Sequence, residues 1–284
     1  MKVFSFIPIV FGSFLAVVKE VFADPEFQKA GVGVVRPPPE YFNSSPFNVR
    51  WRKAMTVEEV YIQRMTPLNP RKLNGLYHHD MEIGGDPKPI EEFLNMEFTD
   101  TKYLEQYKSV DEFEKVFWRN PHSRTQIYGF SFNEKNKIFK SVNSSSLLFG
   151  QTGSTFCIHT EDWNLPAINY LHYGSPKIWY VIALADYNRF RELLMKKFNE
   201  SLSSDEFRRD CVNPLGHKTA ICNPKWLKKH GIKFTRVVQE PGHYVVVSPG
   251  AYHFGYNMGP NGCAVKIPTV ITHTSLSDIS PAYK

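Results

Sequence analysis

The sequence predicts a mainly β fold, a sandwich or barrel of jelly-roll type with helices before it and inserted into it. Three observations carry that expectation. Short apolar segments recur between residues 126 and 272 with turn residues between them. Helical periodicity is confined to the first 120 residues and to one insertion, so a strand–helix alternation is absent. Hydrophobic residues make up 42% of the chain and aromatics 14%, enough for a packed core, while 22% charged residues exclude a disordered chain. The 284 residues suit two domains or one large β-rich domain. Four cysteines (Cys157, Cys211, Cys222, Cys263) exclude a disulfide scaffold and suit a reducing compartment. The 34 Lys and Arg against 28 Asp and Glu leave a charge of +6. That excess permits a nucleic-acid or histone-proximal setting without indicating one.

The first element is a helix ending at Ala23. Phe11, Phe14, Leu15, Val18 and Phe22 share one helical face, with Lys19 and Glu20 on the other. The same stretch has the outline of a secretory signal, but Pro8 and Lys19-Glu20 count against it, and an amphipathic helix folded onto a domain is the preferred reading. Lys29–Val35 reads as a strand stopped by Pro37-Pro38-Pro39, which cannot supply ladder N–H groups. Residues 51–85 carry no clear period. Pro89–Asn120 reads as helical, with Ser109-Val110-Asp111-Glu112 as a capping box ahead of Phe113, Val116 and Phe117. Strands follow at Gln126–Phe132, Ser146–Phe149, Thr155–His159, Ile168–Tyr173 and Lys177–Ile182, the last two parted by Gly174-Ser175-Pro176. Asp186–Glu200 is a helix with Tyr187, Phe190, Leu194 and Phe198 on one side. Strands return at Arg236–Gln239, His243–Val247, Gly255–Met258 and Ala264–Thr272.

Chemistry concentrates at His159-Thr160-Glu161. At a strand end, residues i and i+2 project to the same face, so both side chains can reach one metal ion. His253, behind the Val-rich strand in Pro249-Gly250-Ala251-Tyr252-His253, is the candidate third ligand of a two-His-one-carboxylate facial triad. Such a triad leaves coordination positions open for other ligands of Fe(II). The motif alone is weak: ten His and 28 acidic residues in 284 positions give about one His-x-Asp/Glu by chance. His78-His79-Asp80 is a second instance, read as a solvated surface cluster in an unpatterned loop.

Context decides the weighting. Asn169-Tyr170-Leu171-His172-Tyr173-Gly174-Ser175-Pro176-Lys177-Ile178-Trp179-Tyr180 closely resembles the JmjC (jumonji) family of Fe(II)- and 2-oxoglutarate-dependent oxygenases. Phe156–Asp162 before it, and Gln239–His243 and Tyr252–Asn257 after it, are similar to the same family in the same order. Phe6-Ile7-Pro8, the amphipathic helix and Lys29-Ala30-Gly31-Val32 through Pro37-Pro38 resemble a JmjN segment. The closest branch is the JmjN–JmjC histone lysine demethylases, which His217-Lys218 and Leu227–Ile232 match well. The resemblance implies a double-stranded β-helix (jelly-roll, cupin-like) core. It divides the chain into a JmjN-like segment at 1–50, a mixed linker and helical region at 51–120, and a JmjC-like catalytic domain at 121–284. It makes His159, Glu161 and His253 iron ligands and catalytic residues. Tyr128 and Lys177 would hold the distal carboxylate of 2-oxoglutarate, Asn169 would bond near the co-substrate, Phe156 and Trp179 would wall it, and Lys218 would add a polar contact. The activity implied is hydroxylation of an N-methyl group with loss of formaldehyde, the substrate a histone tail, the setting chromatin in the nucleus.

The sequence also departs from that branch. Where the trimethyl-lysine pocket uses tyrosines, Ser146 and Leu148 stand, and Lys266 and Pro268 replace a small polar residue and an asparagine on the last strand. Cys211 and His217 match half of a zinc site whose second half, a pair of cysteines, has no counterpart in this sequence. Two alternatives to the demethylase stay open: a protein side-chain hydroxylase, and a JmjC chromatin-binding module without turnover. Lys225, Lys228, Lys229, Lys233 and Arg236 read as a solvated face, since no aromatic stacking pattern accompanies them.

Overall fold

The structure is a computed structural model and describes residues 3–5, 12–37, 59–67, 75–96, 102–119, 126–132, 146–201 and 214–266. Two sheets dominate it. The larger is built from β1 (Val3–Ser5), β2 (Val32–Arg36), β3 (Glu59–Pro67), β4 (Leu76–Pro89), β5 (Gln126–Phe132), β6 (Ser146–Gly150), β8 (Ala167–Gly174), β10 (Ala220–Cys222), β12 (Tyr244–Val247) and β14 (Asn261–Lys266). Its order is β1-β2-β12-β8-β14-β6-β5-β3-β4-β10. The smaller sheet holds β7 (Thr155–His159), β9 (Lys177–Ile182), β11 (Phe234–Gln239) and β13 (His253–Asn257) in the order β11-β9-β13-β7. Apart from the short parallel β1–β2 pair, every pairing is antiparallel. The predicted jelly-roll core is therefore present.

The interior between the sheets is lined by Val32 and Val34 of β2, Val245 and Val247 of β12, Trp179 and Val181 of β9 and Val237 of β11. Strand β9 shows the logic of this layer. All six of its residues are buried, because Lys177, Trp179 and Val181 face the interior while Ile178, Tyr180 and Ile182 face a helical layer behind the small sheet. That second layer comprises α4 (Val110–Phe117), α5 (Tyr187–Ser201) and α6 (Pro224–Lys229), which bury Phe113, Phe117, Phe190, Leu194, Phe198, Trp226 and Leu227. The aliphatic and aromatic face predicted for Asp186–Glu200 is thus the face that packs. α4 starts after Ser109 as expected, but the Ser109 side chain makes no capping hydrogen bond.

The N-terminal region corrects the sequence reading in detail. Helix α1 (Gly12–Ala23) buries Val17, Val18 and Val21 and packs Phe22 partly buried, so Val18 and Phe22 of the expected face do pack, while Phe11 and the side chains of Phe14 and Leu15 fall outside the described residues. Val17 and Val21 pack with Val35 and Val246 on the outer face of the large sheet. Lys29 and Ala30 are not strand but the end of α2 (Pro25–Ala30). Asp24 caps this helix by accepting hydrogen bonds from the Glu26 and Phe27 N–H groups, Pro25 sits where its missing N–H costs nothing, and Gly31 ends it at φ 76°. The start and stop signals were present in Asp24-Pro25 and Gly31. Pro89–Asn120 breaks into α3 (Ile90–Leu94), a 3-10 turn at Lys102–Leu104 and α4. Within the unassigned stretch before it, β3 pairs antiparallel with β4 and extends the large sheet through β5. His78 and His79 lie on β4 and are buried, His79 completely, with Ala220 of β10 paired opposite His78. They are not the solvated cluster expected. Among the described residues no helix is long and apolar enough to cross a membrane.

Candidate metal centre

Strand pairing assembles the site. β7 and β13 run antiparallel with His159 directly opposite His253, and the two imidazole centroids lie 4.2 Å apart. Glu161 follows β7 by two residues, and its Oε1 is 3.4 Å from His253 Nε2. A ligand atom from each of the three residues lies within 4.8 Å of the others, the one such grouping of three or more His, Cys, Asp or Glu among the described residues. Both histidines are fixed by backbone two residues back: Nδ1–H of His159 donates to Cys157 O at 2.6 Å and Nδ1–H of His253 donates to Ala251 O at 3.0 Å. A carbonyl can only accept, so each Nδ1 carries a proton and Nε2 is the ring atom left to serve as a ligand. Burial holds the His159 pKa well below its ordinary value, reinforced by the positive charges of His253 and Lys218. For Glu161, burial would raise the pKa, but the His253 hydrogen bond and the charges of His253, His159 and Lys218 pull it down to about 2. Two imidazoles and one carboxylate form a donor set that fits a divalent cation such as Fe(II).

A cavity of about 360 Å³ runs from this triad into the core. At its inner end stands Lys177, 1% exposed. Its Nζ donates to Tyr128 Oη at 2.9 Å and Asn257 Oδ1 at 3.3 Å, and lies 4.1 Å from the centroid of the Phe156 ring. Tyr128 and Trp179 flank the same ammonium at 5.2 and 5.5 Å. Among the described residues no carboxylate pairs with it. Burial drives its pKa down to about 8. A buried ammonium that aromatic rings surround and no acid neutralises is an unspent anion site, the chemistry a dicarboxylate needs. Tyr128, whose pKa burial pushes well up, stays a neutral hydroxyl able to donate to that anion.

The predicted residues Tyr128, Phe156, Asn169, Lys177, Trp179 and Lys218 all line this one cavity, as do Ser146 and Leu148. Cys211 and Pro268 fall outside the described residues, as does the side chain of Lys266, whose backbone pairs with Ile168. His217 is exposed at the end of a 3-10 turn at Pro214–His217 whose Leu215 is buried in the core. Arg236, read as solvated, instead pairs with Glu114 at 2.5 Å and Asp111 at 3.3 Å.

Two supporting groups were not singled out from sequence. Asn257 of β13 sits opposite Lys177 of β9, donates from Nδ2 to Ser154 Oγ at 3.0 Å, and accepts from Asn261 Nδ2 at 2.9 Å, so its Oδ1 is locked toward Lys177. Gly150 makes room for it: a Cβ there would lie 2.5 Å from Asn257 Cγ. Gln239 is the second. It accepts from Trp179 Nε1 at 2.9 Å and donates to Asn169 Oδ1 at 3.0 Å and to His243 O at 3.0 Å, fixing both the wall and the amide. Each is the last residue of its strand, a position where a polar residue is ordinary, so local pattern gave no signal for its role.

Comparison with known proteins places the chain beside lysine demethylases. It is 33% identical to probable lysine-specific demethylase 4F of Homo sapiens over 57% of this chain and 28% of that protein. It is 33% identical to lysine-specific demethylase 4B of Mus musculus over 56% of this chain and 16% of that protein. With lysine-specific demethylase 4D of Rattus norvegicus the identity is 34% over 55% of this chain and 34% of the relative. The chain thus matches between a sixth and a third of the length of these relatives. Residues 146–267, the stretch that carries His159, Glu161, Lys177 and His253, match the family model of the JmjC domain, hydroxylase.

Proposed function

We propose that this protein is an Fe(II)- and 2-oxoglutarate-dependent oxygenase acting on a protein substrate, in the manner of a histone lysine demethylase with an altered methyl-lysine pocket. The observation that carries the reading is the pairing, within one cavity, of the His159–Glu161–His253 donor set with the buried, uncompensated ammonium of Lys177. His159, Glu161 and His253 would hold the iron. Lys177 and Tyr128 would hold the far carboxylate of 2-oxoglutarate, with Phe156 and Trp179 as walls, Asn169 bonding near its inner end and Lys218 adding a polar contact. Bound iron(II) and 2-oxoglutarate supply oxygen-dependent hydroxylation of a C–H bond, coupled to decarboxylation of the keto acid. The chain's own work is positional. Asn257 aims Lys177, Gln239 stiffens Trp179 and Asn169, and the backbone carbonyls of Cys157 and Ala251 fix the imidazole tautomers. The sheet interior keeps water from the reacting group. On an N-methyl group the product is a hemiaminal that loses formaldehyde. Residues 1–50 are read as a JmjN-like segment, 51–120 as the mixed region joining it to the JmjC-like domain at 121–284. The JmjN-like reading is supported by the pairing of β2 with β12 of the core. A histone tail, chromatin and the nucleus belong to the same reading. Zinc at Cys211 and His217 would need two further ligands to complete a four-coordinate site.

One observation favours a second reading, a hydroxylase of an unmodified side chain. Ser146, Leu148 and Val265 line the cavity, and its three aromatic rings, Tyr128, Phe156 and Trp179, already face the Lys177 ammonium. That leaves little aromatic surface for a methylammonium. Mass spectrometry of trimethylated and unmethylated histone H3 tail peptides, incubated with protein, Fe(II), ascorbate and 2-oxoglutarate, separates the two. Methyl loss absent from a His159→Ala control supports the demethylase. A 16 Da gain on the unmethylated peptide supports the hydroxylase. If 2-oxoglutarate is not consumed under any condition, the oxygenase reading falls and a binding module takes its place.

A further inference from the structure

A second chamber, of about 530 Å³, opens on the other side of the triad. The two cavities share His159, Glu161, Asp162 and Lys218, so they meet at the metal centre. The inner one holds the buried cation; the outer one opens to solvent and is walled by polar groups of both kinds. Its volume is within the range of ligand pockets. The three non-glycine residues with positive φ among the described residues all line it: Trp163 at 59°, Asn164 at 52° and Lys218 at 54°. Asparagine tolerates that region, but a bulky residue there is a true outlier, and such strain gathers at functional sites. The turn is tied down by Asn164 N–H donating to Glu161 O at 2.9 Å and Gly250 N–H donating to Asn164 O at 3.1 Å. The result is a tryptophan held 75% exposed beside the exposed carboxylate of Asp162, at the mouth of a chamber that ends on Glu161.

We infer that this outer chamber receives the main chain of the protein substrate, and that Trp163 with Asp162 grips a basic side chain flanking the modified residue. The inference rests on the oxygenase reading for what the substrate meets at the triad. Main-chain amides need donors and acceptors together, which Arg191, Lys218, Thr160 and Asn164 in the chamber's lining supply. An aromatic face next to a carboxylate is the recognition element for Lys or Arg, by cation–π contact and ion pairing. Crossing the shared rim at Glu161 and Asp162 brings the modified side chain to the centre.

The test is binding, without turnover. Fluorescence anisotropy of an array of overlapping core-histone peptides, trimethylated and unmodified, measures affinity for the Ni(II)-loaded protein and for Trp163→Ala and Trp163→Phe. The expected result is a roughly five- to thirtyfold weaker Kd for Trp163→Ala, with recovery in Trp163→Phe. A similar loss is expected when the flanking Lys or Arg of the peptide becomes Ala. Equal Kd values for the wild type and Trp163→Ala overturn the inference, as does failure of every peptide to bind the wild type. The affinity for 2-oxoglutarate, measured in parallel, stays unchanged in Trp163→Ala. If the wild type itself binds no 2-oxoglutarate, it is the oxygenase reading that fails, and the peptide Kd values still decide the outer chamber. At 75% exposure the Trp163 side chain contributes little to the core, so neither variant threatens folding.

Discussion

Replacing Lys177 with methionine separates a functional cation from a structural one, because the two roles predict opposite signs. The ammonium is 1% exposed and its pKa falls from 10.5 to about 8. Holding the charged form in that environment at neutral pH costs about 3 kcal/mol. A folded-state pKa below the unfolded value means that the penalty is full below about pH 8 and fades as pH rises toward 10.5. Methionine has a similar shape and no charge, so Lys177→Met removes the penalty. Against this stand the hydrogen bonds to Tyr128 and Asn257, whose loss costs about 1 kcal/mol. The net gain of about 1–2 kcal/mol raises the Tm by about 3–6 °C at pH 7. The same substitution strips a dicarboxylate of its counter-charge in a desolvated cavity, which costs about 2–4 kcal/mol, or roughly 30- to 1000-fold in Kd. Thermal unfolding without ligand and titration calorimetry of 2-oxoglutarate into Ni(II)-loaded protein give both numbers. A variant that is less stable than the wild type and binds 2-oxoglutarate as well would refute the reasoning: Lys177 would then be a core residue and not a co-substrate anchor.

Three further outcomes follow from the same geometry. The affinity for 2-oxoglutarate is level between about pH 7 and 8 and falls above that by up to about tenfold per unit, as Lys177 loses its proton before the ligand can pair with it, which calorimetry between pH 7 and 9 reads directly. His159→Ala and Glu161→Gln each weaken divalent-metal binding by at least about 100-fold, measured by equilibrium dialysis, whereas Trp163→Ala leaves it unchanged. Gly150→Ala places a Cβ 2.5 Å from Asn257 Cγ and 2.7 Å from Asn261 Oδ1. It costs about 1–3 kcal/mol of stability in urea unfolding and weakens 2-oxoglutarate binding through the displaced Asn257, with metal affinity intact.

Much of the core was legible because it depends on local pattern. The β-rich run from Gln126 onward, the strand at Lys177–Ile182 and the helix with Phe190, Leu194 and Phe198 on one face all follow from side-chain periodicity, which is a property of neighbouring residues. The candidate ligands His159 and Glu161 share a face for the same reason. Elements failed where the signal was short or contradictory. Asp24-Pro25 opened a six-residue helix whose last two residues, Lys29 and Ala30, were read as the start of a strand, and β3 and β4 mix polar and apolar residues because much of that strand pair faces solvent.

By itself the sequence determined the residue types and their intervals: a His-x-Glu at a strand end, a distant histidine behind a valine run, a lysine opening an apolar strand. Only the tertiary structure decided what meets what. Whether His159 faces His253 depends on the register of β7 against β13, and whether Lys177 is a surface lysine or a buried cation depends on which sheet covers β9. Register and burial are set by pairings between residues some 80 to 100 positions apart in the chain, where loop-closure entropy and core packing compete and no local pattern holds the answer. The strained turn at Trp163 is of the same kind, since its backbone is held by hydrogen bonds that include one from Gly250 on the far side of the site.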